Sequence, residues 1–334
     1  MKLIIQIPSF NEEDALPVTL GELPRRVPGF DTVEWLVIDD GSSDRTAEVA
    51  RSHGVDHLVK LTANRGLASA FQAGIDASLK LGADVIVNTD ADNQYSAADI
   101  PKLVEPIVAG RADMVVGNRE VTRIEHFSRS KKLLQRIGSS VIRRLSGTSV
   151  PDATSGFRAY NREAAIQTVV VSQFTYTLES LIAAGKMQIA VDHVPVHTNP
   201  MLRESRLFPS VSSYVARNAA SIFRAYSMYH PLRVFSGAAL LLGLGALGAW
   251  MPFLIDWIFH GDSSGHVQSL ILGAVLSIAA VQTFALGVVG DILAGQRVIT
   301  QRVYERVRRV ELELGVRPSH YEGDEIAREA LSLE

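Results

Sequence analysis

Asp90 and Asp92 stand one residue apart, soon after the apolar run Val85-Ile86-Val87. In an extended or turning backbone both carboxylates reach one hard cation. Mg²⁺ and Mn²⁺ prefer oxygen ligands and often bridge protein carboxylates to substrate phosphates. Gln94 would add an oxygen ligand or orient a metal-bound water. An Asp-x-Asp pair alone fits a solvated turn as well as a metal site. Its place after a buried strand strengthens the metal reading, because open α/β sheets bind ligands outside the carboxyl ends of their strands.

Two further polar clusters occupy the same kind of position. Pro8-Ser9-Phe10-Asn11-Glu12-Glu13 follows the apolar run that ends at Ile7, and Asp39-Asp40-Gly41-Ser42-Ser43-Asp44 follows Leu36-Val37-Ile38. A carboxylate at Asp39 would accept hydrogen bonds from a ribose hydroxyl or a base N–H. The same turn also reads as helix capping by Ser42, Ser43 and Asp44. Pro8, Phe10 and Glu12 would form the opposite wall: a rigid turn, an apolar surface and an acceptor.

The elements that must position these residues follow from hydrophobic patterning. Short apolar runs predict strands at Lys2–Ile7, Glu34–Ile38, His57–Leu61, Asp84–Thr89 and Asp113–Gly117. Helical patterns lie between them, near Glu12–Leu23, Asp44–His53, Gly66–Leu81 and Ala97–Ala109. This alternation predicts an α/β domain with a mainly parallel sheet.

The 334-residue chain has a net charge of -3, which does not point to nucleic acid. It has no cysteine, so disulfides and thiolate metal sites are excluded. The apolar run Leu3 to Ile7 is too short for a secretory signal, since Pro8 and Asn11 break it.

Val234 to Ile255 and Val267 to Gly290 contain no charged residue. Each is longer than the roughly 18 apolar residues expected of a transmembrane helix. Arg217, Arg224 and Arg233 precede the first, and Arg297, Arg302, Arg306, Arg308 and Arg309 follow the second. The connecting loop Asp256 to His266 has neither Lys nor Arg. The positive-inside rule then puts both termini in the cytoplasm. Ser128 to Leu145 and Phe208 to Tyr229 combine apolar residues at helical spacing with Lys and Arg. They predict basic amphipathic helices lying on an anionic membrane face. The expected division is 1–207 for the α/β domain (with 128–146 interfacial), 208–230 juxtamembrane, 231–294 for the two spans, and 295–334 for a cytoplasmic tail.

The motifs together resemble glycosyltransferase family two with its GT-A fold, and most of all the dolichol-phosphate mannose synthase branch. The carrying residues are Pro8 to Glu13, Val37 to Asp44, Asn64-Arg65-Gly66, Asp90-Ala91-Asp92-Asn93-Gln94, Gly117-Asn118-Arg119 and Asp152-Ala153-Thr154-Ser155-Gly156-Phe157-Arg158. The two C-terminal spans are similar to those of bacterial polyprenyl-phosphate members, whose place is the prokaryotic plasma membrane. The resemblance implies a UDP- or GDP-sugar donor contacted by Pro8, Phe10, Glu12, Asp39 and Ala91. It also implies Mg²⁺ or Mn²⁺ among Asp90, Asp92 and Gln94, and a polyprenyl phosphate acceptor. Arg119 is expected to touch donor or acceptor phosphate. Lys132, Arg203 and Arg206 are further acceptor-phosphate candidates, though Arg206 stands where the family pattern has Lys.

An anionic phosphate acceptor needs no strong base, whereas a hydroxyl acceptor would need one, with Asp152 the leading candidate. A processive polysaccharide synthase is disfavoured, because Trp35, Trp250 and Trp257 follow no Gln-x-x-Arg pattern. A non-catalytic scaffold is disfavoured by the intact Asp90, Asp92 and Gln94. The sugar, the carrier length and the oligomeric state, a homo-oligomer included, stay open at this level.

Overall fold

The computed structural model describes residues 1–119, 138–144, 146–170, 176–200, 220, 223–224, 226–260 and 266–322. Two compact units emerge: residues 1–219 together with 304–334, and residues 220–303.

All five expected strands form in the first unit. They are β1 (Lys2–Ser9), β2 (Thr32–Asp39), β3 (His57–Lys60), β4 (Val85–Asn88) and β5 (Met114–Asn118). The helices between them are α1 (Leu16–Glu22), α2 (Thr46–Ser52), α3 (Leu67–Lys80) and α4 (Ile100–Val108), the last entered through a 3₁₀ turn at Ala97–Asp99. The N-cap of α2 is Arg45, without a side-chain cap; Asp44, one residue earlier, accepts from the Thr46 amide at 3.0 Å. Ser42 and Ser43 do not cap it. Both instead bind Asn11, the Ser42 hydroxyl accepting from the Asn11 amide and the Ser43 amide donating to the Asn11 side chain.

Four elements escaped the sequence pattern: β6 (Arg158–Asn161), α5 (Arg162–Gln167), α6 (Thr177–Lys186) and β7 (Val191–Pro195). The seven-stranded sheet runs β3-β2-β1-β4-β6-β5-β7. Strand β6 is antiparallel to both neighbours, and the other pairings are parallel. The inversion has a direct consequence for the site. The carboxyl ends of β1, β2, β4 and β5 and the amino end of β6 all meet at one edge.

The two long helices are α7 (Pro231–His260) and α8 (Val267–Glu313). Only 11% of the most apolar stretch of each is buried, which separates them from core helices of a soluble protein. They are long and apolar enough to cross a membrane. Helix α8 continues well past the apolar stretch that ends at Gly290. Its last turns, from Tyr304, group with the α/β unit. There Arg308 is buried and donates to the carbonyls of Ala165, Ile166 and Thr168 at 3.0, 3.0 and 3.2 Å. These carbonyls lie at the end of α5, where a helix leaves acceptors unpaired and favours a cation. The tail, to which the sequence assigned no function, is in this part a docked element. Residues 138–144 and 226–229 are helical. The rest of the two expected amphipathic helices, with Lys132, Arg203 and Arg206, lies outside the described residues.

Candidate active site

Strand register brings the first two polar clusters together. Ser9 pairs with Asp39 at the ends of β1 and β2, and Gln6 pairs with Asn88 where β4 ends. Pro8 and Glu12 are buried, while Phe10 is 40% exposed at the rim. Asp39 is wholly buried. Its Oδ1 accepts from the Ser42 amide at 2.9 Å, and its Oδ2 has no partner among the described residues. A buried carboxylate oxygen without a donor is costly, so a ligand N–H or O–H is the natural occupant of that position. Asp40 turns the other way and accepts from the amides of Arg65 and Gly66, each at 2.8 Å. Burial pushes its carboxyl above the usual range despite those two donors. Gly41 permits the close approach: at φ +68°, a Cβ there would lie 2.5 Å from the Ala63 backbone.

Asp90 and Asp92 follow β4. Burial first, and then the neighbouring Asp92 charge, push the Asp90 carboxyl up to about 7, with Arg119 opposing. Asp92 Oδ1 accepts from the Gln94 amide at 3.3 Å, so the backbone turns between Asp92 and Gln94. Ala91 is buried behind them, its carbonyl accepting from the Thr19 hydroxyl at 2.8 Å. Gly156 lies against the Asp90 carboxylate. A Cβ at Gly156 would sit 3.1 Å from both Asp90 oxygens and 2.7 Å from the Tyr176 hydroxyl oxygen.

Beneath this pair runs a buried polar chain that the sequence did not single out. Gln6 Nε2 donates to Asn88 Oδ1 at 2.8 Å, and Asn88 Nδ2 donates to the Gly156 carbonyl at 2.8 Å and to the Tyr176 hydroxyl at 2.9 Å. Tyr176 stacks on Phe71 with centroids 4.0 Å apart. From the other side the Gly156 amide donates to the Tyr95 hydroxyl at 3.0 Å. Arg158, also fully buried, donates to the carbonyls of Ser155 and Ala153 at 2.8 and 2.9 Å and fixes the 153–156 loop. These bonds hold the loop in one conformation, although Gln6 Oε1 and the Ser155 hydroxyl have no partner among the described residues. The only sequence signal for them is the presence of polar residues inside apolar strands.

Arg119, at the end of β5, is bound to Asp152 rather than standing free. Nε donates to Oδ2 at 2.7 Å, and Nη2 donates to Oδ1 at 3.0 Å and to Thr154 Oγ1 at 2.9 Å. Burial would raise the Asp152 carboxyl, but the Arg119 guanidinium outweighs it and holds the group below the usual range. Both Asp152 oxygens are thereby occupied by Arg119, which weighs against the base role considered for a hydroxyl acceptor. Beyond β7, the Asn199 amide donates to the Gln94 carbonyl at 3.0 Å, so the chain returns to the metal-candidate loop just before residue 200. Among the described residues, no three His, Cys, Asp or Glu side chains converge as a complete metal cage.

The profile of glycosyl transferase family 2 matches residues 4–168. An undecaprenyl-phosphate mannosyltransferase of Micrococcus luteus is 34% identical over 169 residues, covering 49% of this chain and 68% of that protein. A polyprenol monophosphomannose synthase of Mycolicibacterium smegmatis is 31% identical over 169 residues, covering 48% of this chain and 62% of that protein. A glucosyl-3-phosphoglycerate synthase from Mycobacterium tuberculosis, crystallised with Mn²⁺, UDP and glucosyl-3-phosphoglycerate, matches with a TM-score of 0.52 at 18% identity. That match covers 68% of this chain and 78% of the synthase, and it carries the fold alone. Fold and relatives together define a GT-A glycosyltransferase. The chain belongs to glycosyl transferase family 2.

Proposed function

We propose that the enzyme transfers a sugar from a nucleotide-sugar to a polyprenyl phosphate at the cytoplasmic face of a membrane, with inversion at the anomeric carbon. The observation that carries this reading is the meeting of Asp39 with the Asp90–Asp92 pair at one sheet edge. A buried unpaired acceptor suits a nucleoside, and a pair of crowded carboxylates suits a cation. The names of the Micrococcus and Mycolicibacterium relatives supply the acceptor class.

Asp90, Asp92 and Gln94 would hold Mg²⁺ or Mn²⁺. The donor set fits, since it consists of hard oxygens. Burial raises the Asp90 carboxyl most, the neighbouring Asp92 charge adds to it, and the Arg119 charge offsets them only in part. Among the described residues no third carboxylate, His or Cys joins the pair, a donor set that would suit an ion also bound by substrate phosphate. When bound, such an ion neutralises charge on the departing nucleoside diphosphate.

Pro8, Phe10, Glu12, Asp39 and Ala91 would bind the nucleoside and diphosphate. An acceptor phosphate oxygen forms the new bond to the anomeric carbon, and the bond to the diphosphate breaks with its electron pair on the leaving group. The acceptor carries its own negative charge, and Asp152 is engaged by Arg119, so no side-chain base is required. Arg119 would orient phosphate from the rim of this pair, with Lys132, Arg203 and Arg206 as further contacts. Helices α7 and α8 would cross the bilayer with both termini in the cytoplasm, on the evenness of their flanking arginines.

The test is transfer from radiolabelled UDP- and GDP-sugars to polyprenyl phosphate in membranes carrying the protein, with EDTA and with added Mn²⁺ or Mg²⁺. Metal-dependent formation of an acid-labile lipid-linked sugar is the expected result. No metal-dependent turnover with any common donor would overturn the reading.

A further inference from the structure

The C-terminal segment lies along an edge of the sheet that would otherwise be open. Strand β3 has only four residues and ends the sheet order. Tyr321 forms an antiparallel bridge to Val59, with the Lys60 amide donating to the His320 carbonyl and the Glu322 amide donating to the Leu58 carbonyl, both at 3.0 Å. Side chains reinforce it. The Tyr321 hydroxyl meets His57 Nδ1 at 2.7 Å, while His57 Nε2 meets Glu34 at 2.6 Å. Arg51 pairs with Glu322. Nearer α8, Glu311 pairs with Lys80 at 3.1 Å, and the buried Arg308 pins the chain to the end of α5. His320 holds a left-handed backbone at φ +59°, a conformation that a non-glycine residue keeps only where its surroundings impose it.

The strand covered in this way leads straight into the loop beside Asp39. The Leu61 amide donates to the Asp39 carbonyl at 2.9 Å, and the Arg65 and Gly66 amides bind the Asp40 carboxylate. Leu61 and Arg65 also line a cavity of about 250 Å³ whose other wall includes Ser319 and His320. Residues 61–66 are therefore held on one side by the Asp39-Asp40-Gly41 turn and approached on the other by the tail.

We infer that residues 319–322 are a strap that positions the 61–66 loop for donor binding, and that α8, which ends six residues earlier, is tied to the nucleotide site through it. The donor role of Asp39, through which the loop would act, rests on the function proposed above. The strap itself rests on the backbone bridge alone. Tyr321 and Glu322 are positioning residues in this scheme and touch no substrate. An edge strand also needs cover against pairing with other chains, so a purely protective tail is the competing account.

Two substitutions at one position separate these accounts. Glu322→Pro removes the amide that binds Leu58, whereas Glu322→Ala removes only the pairing with Arg51. Each is made in the full chain, in detergent, and read by hydrogen exchange over residues 61–66 and by binding of Mn²⁺ with UDP or GDP. Glu322→Pro is expected to speed exchange across 61–66 about tenfold or more, since local opening sets that rate. It should weaken whichever nucleotide the wild type binds by about fivefold or more, with Glu322→Ala within about twofold on both counts. Unchanged exchange in Glu322→Pro, or faster exchange with unchanged nucleotide affinity, overturns the inference and leaves edge protection. If Glu322→Pro does not fold, a chain ending at Pro318 removes the strap, keeps Arg308, and is judged by the same two readouts. A wild type that binds neither nucleotide contradicts the donor reading instead, and exchange alone then decides whether the strap orders the loop.

Discussion

Arg119 grips Asp152 with two nitrogens, Nε at 2.7 Å from Oδ2 and Nη2 at 3.0 Å from Oδ1, and only 2% of the Asp152 side chain is exposed. Breaking such a buried pair leaves a charge uncompensated and costs about 3 kcal/mol. Asp152→Asn should therefore destabilise the α/β unit by that order, measured by chemical denaturation. Transfer should fall because Arg119 loses its orientation. The double variant Arg119→Gln/Asp152→Asn should be no worse than either single. Additive losses would show that Asp152 acts independently of Arg119 and would reopen its assignment as a base.

The same pair predicts a pH dependence. The folded-state Asp152 carboxyl lies below its ordinary value, so its stabilising effect is complete above the unfolded value of about 3.9 and fades as pH falls through the folded value. The stability gap between wild type and Asp152→Asn should be constant from neutral pH down to about 5 and should narrow below about 4. A gap that narrows between pH 7 and 5 would contradict this.

Asp90→Asn and Asp92→Asn should each lower metal-dependent transfer by about 10²-fold or more, the order found when a preorganised charge contact is lost. The more specific expectation concerns binding. Mn²⁺ should strengthen UDP or GDP binding to the wild type, and this gain should disappear in both variants. Retention of the full Mn²⁺ effect in either one would remove that residue from the metal site.

Gly156→Ala tests the wall behind Asp90. The added methyl would meet the Tyr176 hydroxyl at 2.7 Å, and Tyr176 is fixed by Asn88 and stacked on Phe71. Overpacking of this kind costs about 1–3 kcal/mol. Activity should drop further than stability explains, because the shifted group includes the Asp90 carboxylate. Melting temperature and initial rate together check it.

Asp39→Asn should separate stability from binding. It removes a buried charge whose Oδ2 lacks a partner, so stability should change by less than about 1 kcal/mol or rise. Nucleotide affinity should fall about tenfold or more, equivalent to roughly 1.4 kcal/mol. A large loss of stability with unchanged affinity would make Asp39 a structural residue.

Strands β1 to β5 were legible because each is a short apolar run bounded by polar turns, and the three chemistry-bearing clusters stood directly behind such runs. Strand β6 was not legible, since Arg158-Ala159-Tyr160-Asn161 reads as polar, and the acceptors that let its arginine be buried, the carbonyls of Ser155 and Ala153 and the Ser180 hydroxyl, lie outside the strand. Asn88 and Tyr176 were missed for a similar reason: they are 88 positions apart and meet only in three dimensions. Asp152 was visible as a residue, but its engagement by Arg119 was not. Beyond Arg309 the tail is acidic and polar. Charge pattern carries no information on which edge such a segment will cover.

The reversed course of β6 divides the chain's tolerance for change. Residues entering β6, from Asp152 to Phe157, arrive at the edge where Asp90 and Arg119 stand, and the chain leaves at Asn161 on the opposite edge beside Asp84. Insertions ahead of Arg158 fall among the reacting groups, whereas length added after Asn161 emerges far from them. A lineage could therefore lengthen or decorate the segment after β6 while its chemistry stayed unchanged. The few residues that run inward have no such freedom.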